Sequence, residues 1–280
     1  MSPATEPGRG EPADAAGSSS DAAPTLPEHL ADSAGQPWAG RAFTPNTHAA
    51  DDGAMPERLG EAIRRFRARE VGQSDVVDAF REARLLIPLV ARLGDGGTEV
   101  GAHGLAIEKS QELAIVTVAG PDGRNVLPVF GSVAAMSAWN PEARPVPADG
   151  VRVALAAASE DTELVVLDPG SAGEFVVRRP ALWAVAQSEP WRPAFEDDAV
   201  RDAFARSISS ELAAVATTLE PGDPGARLAG PEVVVRLELL AGLERAELDA
   251  VLQRLAQRWA ADDAIATRVD SLTVRLVTAG

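Results

Sequence analysis

The apolar residues of this chain change their spacing near residue 84, and that change limits the fold class more than any other feature. Before it, Leu59, Ile63 and Phe66 recur at the spacing of one helix face. After it come short β-branched runs bounded by turn residues, beginning with LLIPLVARL at 85–93, which are typical of strands. Strands interrupted by helices and hairpins predict an α+β fold with a mixed sheet.

Two amphipathic helices are predicted at the start of the folded region. Pro56 suits the first turn of the first helix, which covers about 55–68. The second helix is predicted at 74–83 with Ser74 as its N-cap, because a serine hydroxyl accepts from the free N–H groups of a first turn.

A hairpin is predicted from the next two apolar runs, LAIVTVAG at 113–120 and VLPVFGS at 126–132. The intervening GPDGRN combines the residues that favour a tight turn. Pro88 and Pro128 cannot donate to a ladder, so both are expected at strand edges or bulges.

The following segments alternate again between the two periods. We predict, in order, a helix at 132–140, a proline-broken loop at 141–150, a helix at 151–160, two strands joined by a Pro and Gly turn within 162–180, and a helix at 180–187.

A polar stretch divides the folded region into two predicted domains. Residues 55–192 are predicted to form a mixed-sheet domain, residues 193–199 a linker, and residues 200–280 a smaller α+β domain. The smaller domain is expected to contain two strands, a long helix with an apolar stripe, and a third strand whose inner face includes Leu276.

The first 54 residues are predicted to be a disordered acidic tail, because Ala, Gly, Pro, Ser and acidic residues dominate and large apolar residues are few. Trp38 and Phe43 are exceptions. They stand in an otherwise polar stretch at 37–47, which we interpret as a candidate docking segment for the domain surface or for a partner.

Charge and residue usage exclude several functions. The net charge of −16 is spread along the chain, so nucleic acid is not an expected partner. There is no apolar run of about 18 residues, and the N-terminus is acidic, so neither a membrane span nor a signal peptide is expected and the cytoplasm is the default location. With no cysteine and three scattered histidines, no metal site is expected; the glycine clusters lack nucleotide-binding spacing, so no cofactor is expected either.

One lysine, Lys109, stands among 26 basic residues, the rest being arginine. Abundant Ala, Arg, Gly and Pro with almost no Lys is typical of a GC-rich genome, so codon usage alone could leave one lysine behind. Lysine also differs from arginine physically, since it places a compact charge on a flexible stem. Position 109 is therefore either a chance survivor or a site that requires that shape.

Several motifs in order resemble the SseB family, known as enhanced serine sensitivity proteins, and in particular its actinobacterial-type branch. They include EKSQELAIVTV at 108–118 and NVLPVFGSVAAMSAWNPEARPVP at 125–147. The likeness runs from about Trp38 to Trp191, and residues 200–280 resemble the family's C-terminal domain less distinctly. The positions that follow the family pattern are Glu108, Lys109, Ser110, Leu127, Pro128, Phe130, Trp139, Arg144 and Pro145. Gln111 and Leu113 depart from it.

The resemblance implies no established reaction, cofactor or catalytic residue, so no active site carries over. It does place Lys109 in the best-marked segment. One interpretation is local: Lys109 pairs with Glu108 or Glu112 and orients the loop entering a strand. The other is that Lys109, Arg124 and Arg144 form a cationic patch for a carboxylate, a phosphate or an acidic partner segment.

We therefore predict a non-catalytic binding or regulatory protein that docks a partner protein. The predicted interaction patch consists of Glu108, Lys109, Ser110, Arg124, Trp139 and Arg144. A small-anion or metabolite sensor, or an enzyme of unknown class, is the alternative. A third hypothesis is a scaffold whose tail tethers other factors, and homo-oligomerisation is left open.

Overall fold

The computed structural model describes residues 51–92 and 112–279, and residues 50–280 belong to one compact unit. In the described ranges the helices are α1 Glu57–Arg67, α2 Gln73–Glu82, α3 Val133–Trp139, α4 Gly150–Ser159, α5 Arg179–Ala186, α6 Asp198–Ser207, α7 Arg245–Ala261 and α8 Asp263–Arg268. The strands are β1 Arg84–Arg92, β2 Glu112–Ile115, β3 Val118–Ala119, β4 Asn125–Val129, β5 Arg144–Asp149, β6 Val165–Leu167, β7 Phe175–Val177, β8 Ala214–Pro221, β9 Val233–Leu239 and β10 Leu272–Thr278.

These strands form three sheets. In the first, β1 lies between its antiparallel partners β2 and β5. In the second, β4 and β6 run parallel at the centre, with β3 and β7 antiparallel at the edges. In the third, β9 lies between antiparallel β8 and parallel β10. The predicted α+β class with mixed sheets is confirmed.

Two prolines lie where the first and second sheets separate. Leu86 in β1 and Phe130, just after β4, exchange backbone hydrogen bonds of 2.8 and 2.9 Å. In the same antiparallel register, the next such pair would be Pro88 opposite Pro128, and neither proline has an N–H group to donate. The ladder between β1 and β4 therefore stops after one bridge. Both prolines lie inside strands that have a partner on each side, so the expectation that they would mark strand edges or bulges is wrong.

Each half of the unit has its own apolar core, but the second half contributes to the first. The connection between β8 and β9 places Ala226 in the core of the first half, where it is 2% exposed. Its carbonyl accepts from the N–H of Val176 in β7 at 2.9 Å, so this connection closes the free edge of β7. Leu228 packs with Val126 and Leu164 in a neighbouring cluster.

The structure differs from the sequence prediction in three places in the first half. The loop predicted at 141–150 contains strand β5, because proline geometry is compatible with an extended edge strand and only breaks inner ladders. The single strand predicted at 113–120 is two strands, β2 paired with β1 and β3 paired with β4, so the predicted hairpin joins only β3 to β4. The second helix has Gly72 as its N-cap in place of the predicted Ser74, and it begins at Gln73.

The second half also contains more regular structure than predicted. Helices α6 and α8 were not predicted. The segment assigned to a linker, 193–199, carries a 3-10 turn in which Ala194 is fully buried, and Asp197 caps α6 by accepting from the N–H of Ala199 at 2.8 Å. Leu276, expected on the inner face of the last strand, is 43% exposed because β10 is the edge strand of its sheet.

Candidate functional site

Arg124, a member of the predicted patch, is held inside the fold. It lies in the turn before β4, and its Nη1 and Nη2 donate to Asp270 at 2.9 and 3.1 Å. Its Nε donates to Asp122 at 2.8 Å. The hydrogen bonds that Arg124 donates to Asp270 raise the pKa of Arg124, and the Asp270 side chain has no exposed surface. This guanidinium is therefore engaged by two carboxylates before any ligand arrives.

Arg178 extends this pair into a buried ionic cluster. Its Nη1 lies 3.0 Å from Asp270 and its Nη2 lies 2.8 Å from Asp223. Glu232 accepts from the backbone N–H of Asp270 at 2.6 Å and from that of Ala194 at 3.2 Å. Burial raises the pKa of Glu232. Because each of these charges has a partner, the cluster fixes the two halves of the unit to each other.

Arg144, the second arginine of the predicted patch, is in the opposite situation. It begins β5, is exposed, and forms no ion pair or side-chain hydrogen bond within residues 51–92 and 112–279. It lies beside Leu89 of β1, which in turn lies beside Ile115 of β2. Directly opposite residues share one face of an antiparallel sheet, so a free cation stands in one row with two half-buried aliphatic side chains.

This row is the outer end of a face that is buried elsewhere. Leu85 and Ile87 of β1 and Ala148 of β5 belong to the same face and to the core of the first half. Val146, one step nearer to Arg144, is already 38% exposed. Ile115 still packs against this core, and the face becomes exposed at Val146 and Arg144. We call Leu89, Ile115, Arg144 and Val146 the projecting face.

Trp139 supports the other side of the same sheet. It ends α3, is half-buried, and its ring lies 5.3 Å from that of Phe130 at 42°. It packs with Leu86 and Val90 of β1, which alternate with Leu85 and Leu89 and so face the opposite way. Trp139 thus holds α3 on β1 and is not part of the projecting face.

The other predicted residues are outside the described ranges. Glu108, Lys109 and Ser110 fall in 93–111, and Trp38 and Phe43 fall in the first 50 residues. Because β1 ends at Arg92 and β2 begins at Glu112, both ends of the connection that carries Lys109 lie at the projecting end of the sheet. Arg124 and Arg144 make no contact with each other.

Sequence reasoning missed Asp168, a buried carboxylate after β6. It is 4% exposed, its φ of 45° lies in the left-handed region, and its Oδ1 accepts from the N–H of Gly131 at 2.9 Å. Burial raises its pKa. The Asp-Pro-Gly turn was a sequence signal for the backbone turn, but nothing local indicated that the carboxylate would be buried.

A groove at the junction of the two halves was also missed. Trp183 on α5 is 46% exposed, and the Arg179 guanidinium lies 5.0 Å from its ring centre. Beside this ring is a groove of about 340 Å³ that is also lined by Trp191, Arg192 and Arg268. Arg268 is bridged to a carboxylate, whereas Arg192 is exposed and makes no ion pair with the described part of the chain.

Among residues 51–92 and 112–279 there is neither a metal-binding cluster nor a membrane-spanning helix. Within them, no group of three or more histidine, cysteine, aspartate or glutamate side chains is arranged to hold a metal ion. No helix found there has the length and apolarity needed to cross a membrane.

Comparison with known proteins gives one match. The family model of the SseB protein N-terminal domain matches residues 59–184, which extend from α1 into α5 and include β1 to β7. No curated protein and no solved structure matches the chain.

Proposed function

We propose that this chain, whose residues 59–184 are an SseB protein N-terminal domain, is a non-catalytic binding or regulatory protein of the cytoplasm that docks a protein partner on the projecting face. The observation that carries the proposal is Arg144. Its guanidinium is exposed, has no ion-pair partner among the described residues, and stands in a row with Leu89 and Ile115.

The chemistry of this row defines the partner. A guanidinium beside aliphatic side chains favours a segment in which a carboxylate lies next to apolar residues, since the carboxylate can accept two parallel hydrogen bonds from the arginine. Aliphatic contact adds burial to this directional interaction. An acidic, apolar segment of another protein fits this row better than nucleic acid does, because the chain itself carries a net charge of −16.

The geometry favours binding on the face of this sheet over its edge. Leu86 donates to Phe130 on the side of β1 away from β5, so Ile87 and Leu89 donate toward β5. By the register, Pro145 and Pro147 then occupy the positions of β5 that point to its open side, where they offer no N–H group. A partner would therefore contact the side chains of the sheet, with Lys109 on the adjoining connection.

The buried acids favour a non-catalytic role. Asp168, Asp223, Glu211 and Glu232 are 6% exposed or less, and the side chain of Asp270 has no exposed surface. Each accepts a hydrogen bond from a backbone N–H or an arginine of the fold. These groups stabilise the structure in the arrangement described, and none of them lines the groove beside Trp183.

Quantitative affinity purification from the native host tests this proposal. The wild type is compared with Arg144→Glu, and Arg192→Glu serves as a matched control because it reverses another exposed and unpaired arginine. A protein enriched by the wild type and by Arg192→Glu, and reduced at least tenfold with Arg144→Glu, is the expected result. Equal partner lists for all three, with all three folded, would remove the projecting face as the docking site.

The groove beside Trp183 favours a second candidate function, a small-anion or metabolite sensor. Arg192 offers a free cation there and the indole offers a flat apolar surface. Native mass spectrometry of protein purified from its host separates the two candidates. A retained small molecule that is lost with Arg192→Glu and kept with Arg144→Glu favours the sensor. If the purified chain retains no small molecule, partner docking is favoured.

A further inference from the structure

Most edge strands of this fold have a feature that prevents further pairing. β5 carries two prolines, and β7 is covered by the connection that contains Ala226. β8 is interrupted by a register shift between Ala214 and Ala216 and ends at Pro221. Such features normally protect sheet edges from pairing with other chains. The remaining long edge strand is β10.

β10 has none of these features. Its seven residues, LTVRLVT, include no proline, no glycine and no register shift against β9. Ala279, directly after it, donates to Leu239 at the end of β9 at 2.7 Å. Successive backbone N–H groups of a strand point to opposite sides. The N–H groups of the odd-numbered residues therefore point toward β9, and the N–H group of Leu276 points to the open side. Leu276 is 43% exposed.

We propose that a second copy of this chain pairs its β10 antiparallel to this one, about a two-fold axis at Leu276. This joins the two three-stranded sheets into one. A two-fold axis perpendicular to a sheet keeps each side chain on the same face of the sheet. Even-numbered residues of one copy therefore lie opposite even-numbered residues of the other, and odd-numbered opposite odd-numbered. In this register Leu276 meets Leu276 of the second copy, and Arg275 lies opposite Val277.

The neighbouring registers are less favourable. An axis at Arg275 would place two arginines directly opposite each other, in a pair where side chains approach most closely. An axis at Val274 would bring Thr278 of the second copy beside Asp270, which is enclosed by Arg124 and Arg178. With the axis at Leu276, the second copy lies farther along β10, away from Asp270 and its two arginine partners.

The surroundings of Leu276 favour a copy of this chain over an acidic peptide. Leu276 borders an apolar groove of about 320 Å³, also lined by Leu243 and Leu248, and Leu240 nearby is 51% exposed. The one charged residue of β10, Arg275, bridges Glu220 of its own sheet at 2.9 Å. No acid lies on β10, so two copies can approach along this strand although each chain carries a net charge of −16.

Sedimentation equilibrium of the purified full-length chain tests the proposal, because it reports mass independently of shape. The wild type should sediment at twice the chain mass of 29.2 kDa at tens of micromolar. Leu276→Lys places two like charges at the axis and should yield the monomer mass. Leu155→Lys is the matched control, since Leu155 is similarly exposed, at 55%, but lies on α4; it should remain dimeric.

Leu276→Pro provides a second variant that removes the open-side N–H and leaves the donors to β9 in place. It should also be monomeric, with the circular dichroism spectrum of the wild type. A wild type that is monomeric at 100 µM overturns the proposal. So does a Leu276→Lys variant that stays dimeric, or a monomeric Leu155→Lys variant. Arg144→Glu should stay dimeric, so loss of the docking function and loss of the dimer can be told apart.

Discussion

Arg178 and Asp270 meet at the junction of the two cores, with Nη1 of the arginine 3.0 Å from Oδ2 of the aspartate and with exposed side-chain fractions of 7% and 0%. Arg178 is the N-cap residue of α5, and Asp270 lies just before β10. The two residues are 92 positions apart, so the pair connects the region that matches the SseB N-terminal domain to the segment just before β10. Because both side chains are buried, removing either charge would leave the other one buried without its ion-pair partner.

Replacing Asp270 tests that dependence. Asp270→Asn removes the negative charge but keeps the size, which leaves Arg124 and Arg178 with a neutral acceptor. Breaking one side of a buried ion pair costs about 3–5 kcal/mol, so we expect a loss of that order in the free energy of unfolding. Urea denaturation followed by circular dichroism measures it.

Asp249→Asn is the control for that substitution. Its partner, Arg245, is 90% exposed and the pair spans one helical turn of α7 at 3.4 Å. Exposed pairs of this kind contribute about 0.3–0.5 kcal/mol. Equal losses for Asp270→Asn and Asp249→Asn would contradict the importance assigned to the buried cluster.

The stability contributed by Asp270 should depend on pH. Burial alone would raise the pKa of Asp270, but hydrogen bonds from Arg124 and Arg178 outweigh it and hold the pKa below its ordinary value. A depressed folded pKa gives stability that is complete above the unfolded value, about 3.9 for aspartate, and is lost as the pH falls through the folded value. The gap in urea midpoint between wild type and Asp270→Asn should therefore be constant from pH 7 to 5 and narrow below pH 4. A gap that widens toward acid would refute this assignment.

The stability that Asp168 contributes should depend on pH in the direction opposite to that of Asp270. Its pKa is raised by burial, so its contribution is greatest at low pH and declines as the pH rises through the folded value. Asp168→Asn keeps an oxygen for the N–H of Gly131 and tolerates the left-handed backbone, so at pH 7 the variant should be as stable as the wild type or more stable. Thermal melts at pH 7 and pH 4 check this.

Asp168→Ala distinguishes the carboxylate from its hydrogen bond. It removes the acceptor for Gly131 at a backbone position that asparagine tolerates better than alanine does, so a loss of about 1–3 kcal/mol is expected at both pH values. If Asp168→Asn lost as much as Asp168→Ala at pH 7, the ionised carboxylate would be contributing directly to stability.

Lys109 should matter for the partner and not for the fold. Lys109→Ala is expected to keep the urea midpoint of the wild type and to lower partner enrichment, because both ends of its connection lie beside the projecting face. A partner list identical to that of the wild type would assign Lys109 to a local ion pair with Glu108 or Glu112.

Deletion of residues 1–37 tests the scaffold hypothesis. If this deletion alone abolished partner capture, the tail would carry the function.

Periodicity predicted those parts of the fold in which one face is buried. Val251, Leu255 and Trp259 of α7 form the predicted buried stripe. β5 was missed because Pro145 and Pro147 are strand breakers anywhere except at an open edge, and a sequence does not reveal which strand will be at the edge.

The candidate site was less predictable, because contacts distant in sequence decide which charges remain free. Arg124 and Arg144 are equivalent in the sequence, each following a turn. Asp270, 146 residues away, engages the first, and no described residue engages the second. The burial of Asp168 likewise depends on Gly131, 37 residues earlier.

Site-specific photo-crosslinking tests the central claim, that the projecting face docks a protein, most directly. A photoreactive phenylalanine analogue is placed at Val146, beside Arg144, or at the exposed Leu155 on α4. The account predicts one protein crosslinked in the native host from position 146 and not from 155, and loss of that product when Arg144→Glu is added. The same products from both positions, or a product from 146 that survives Arg144→Glu, would contradict it.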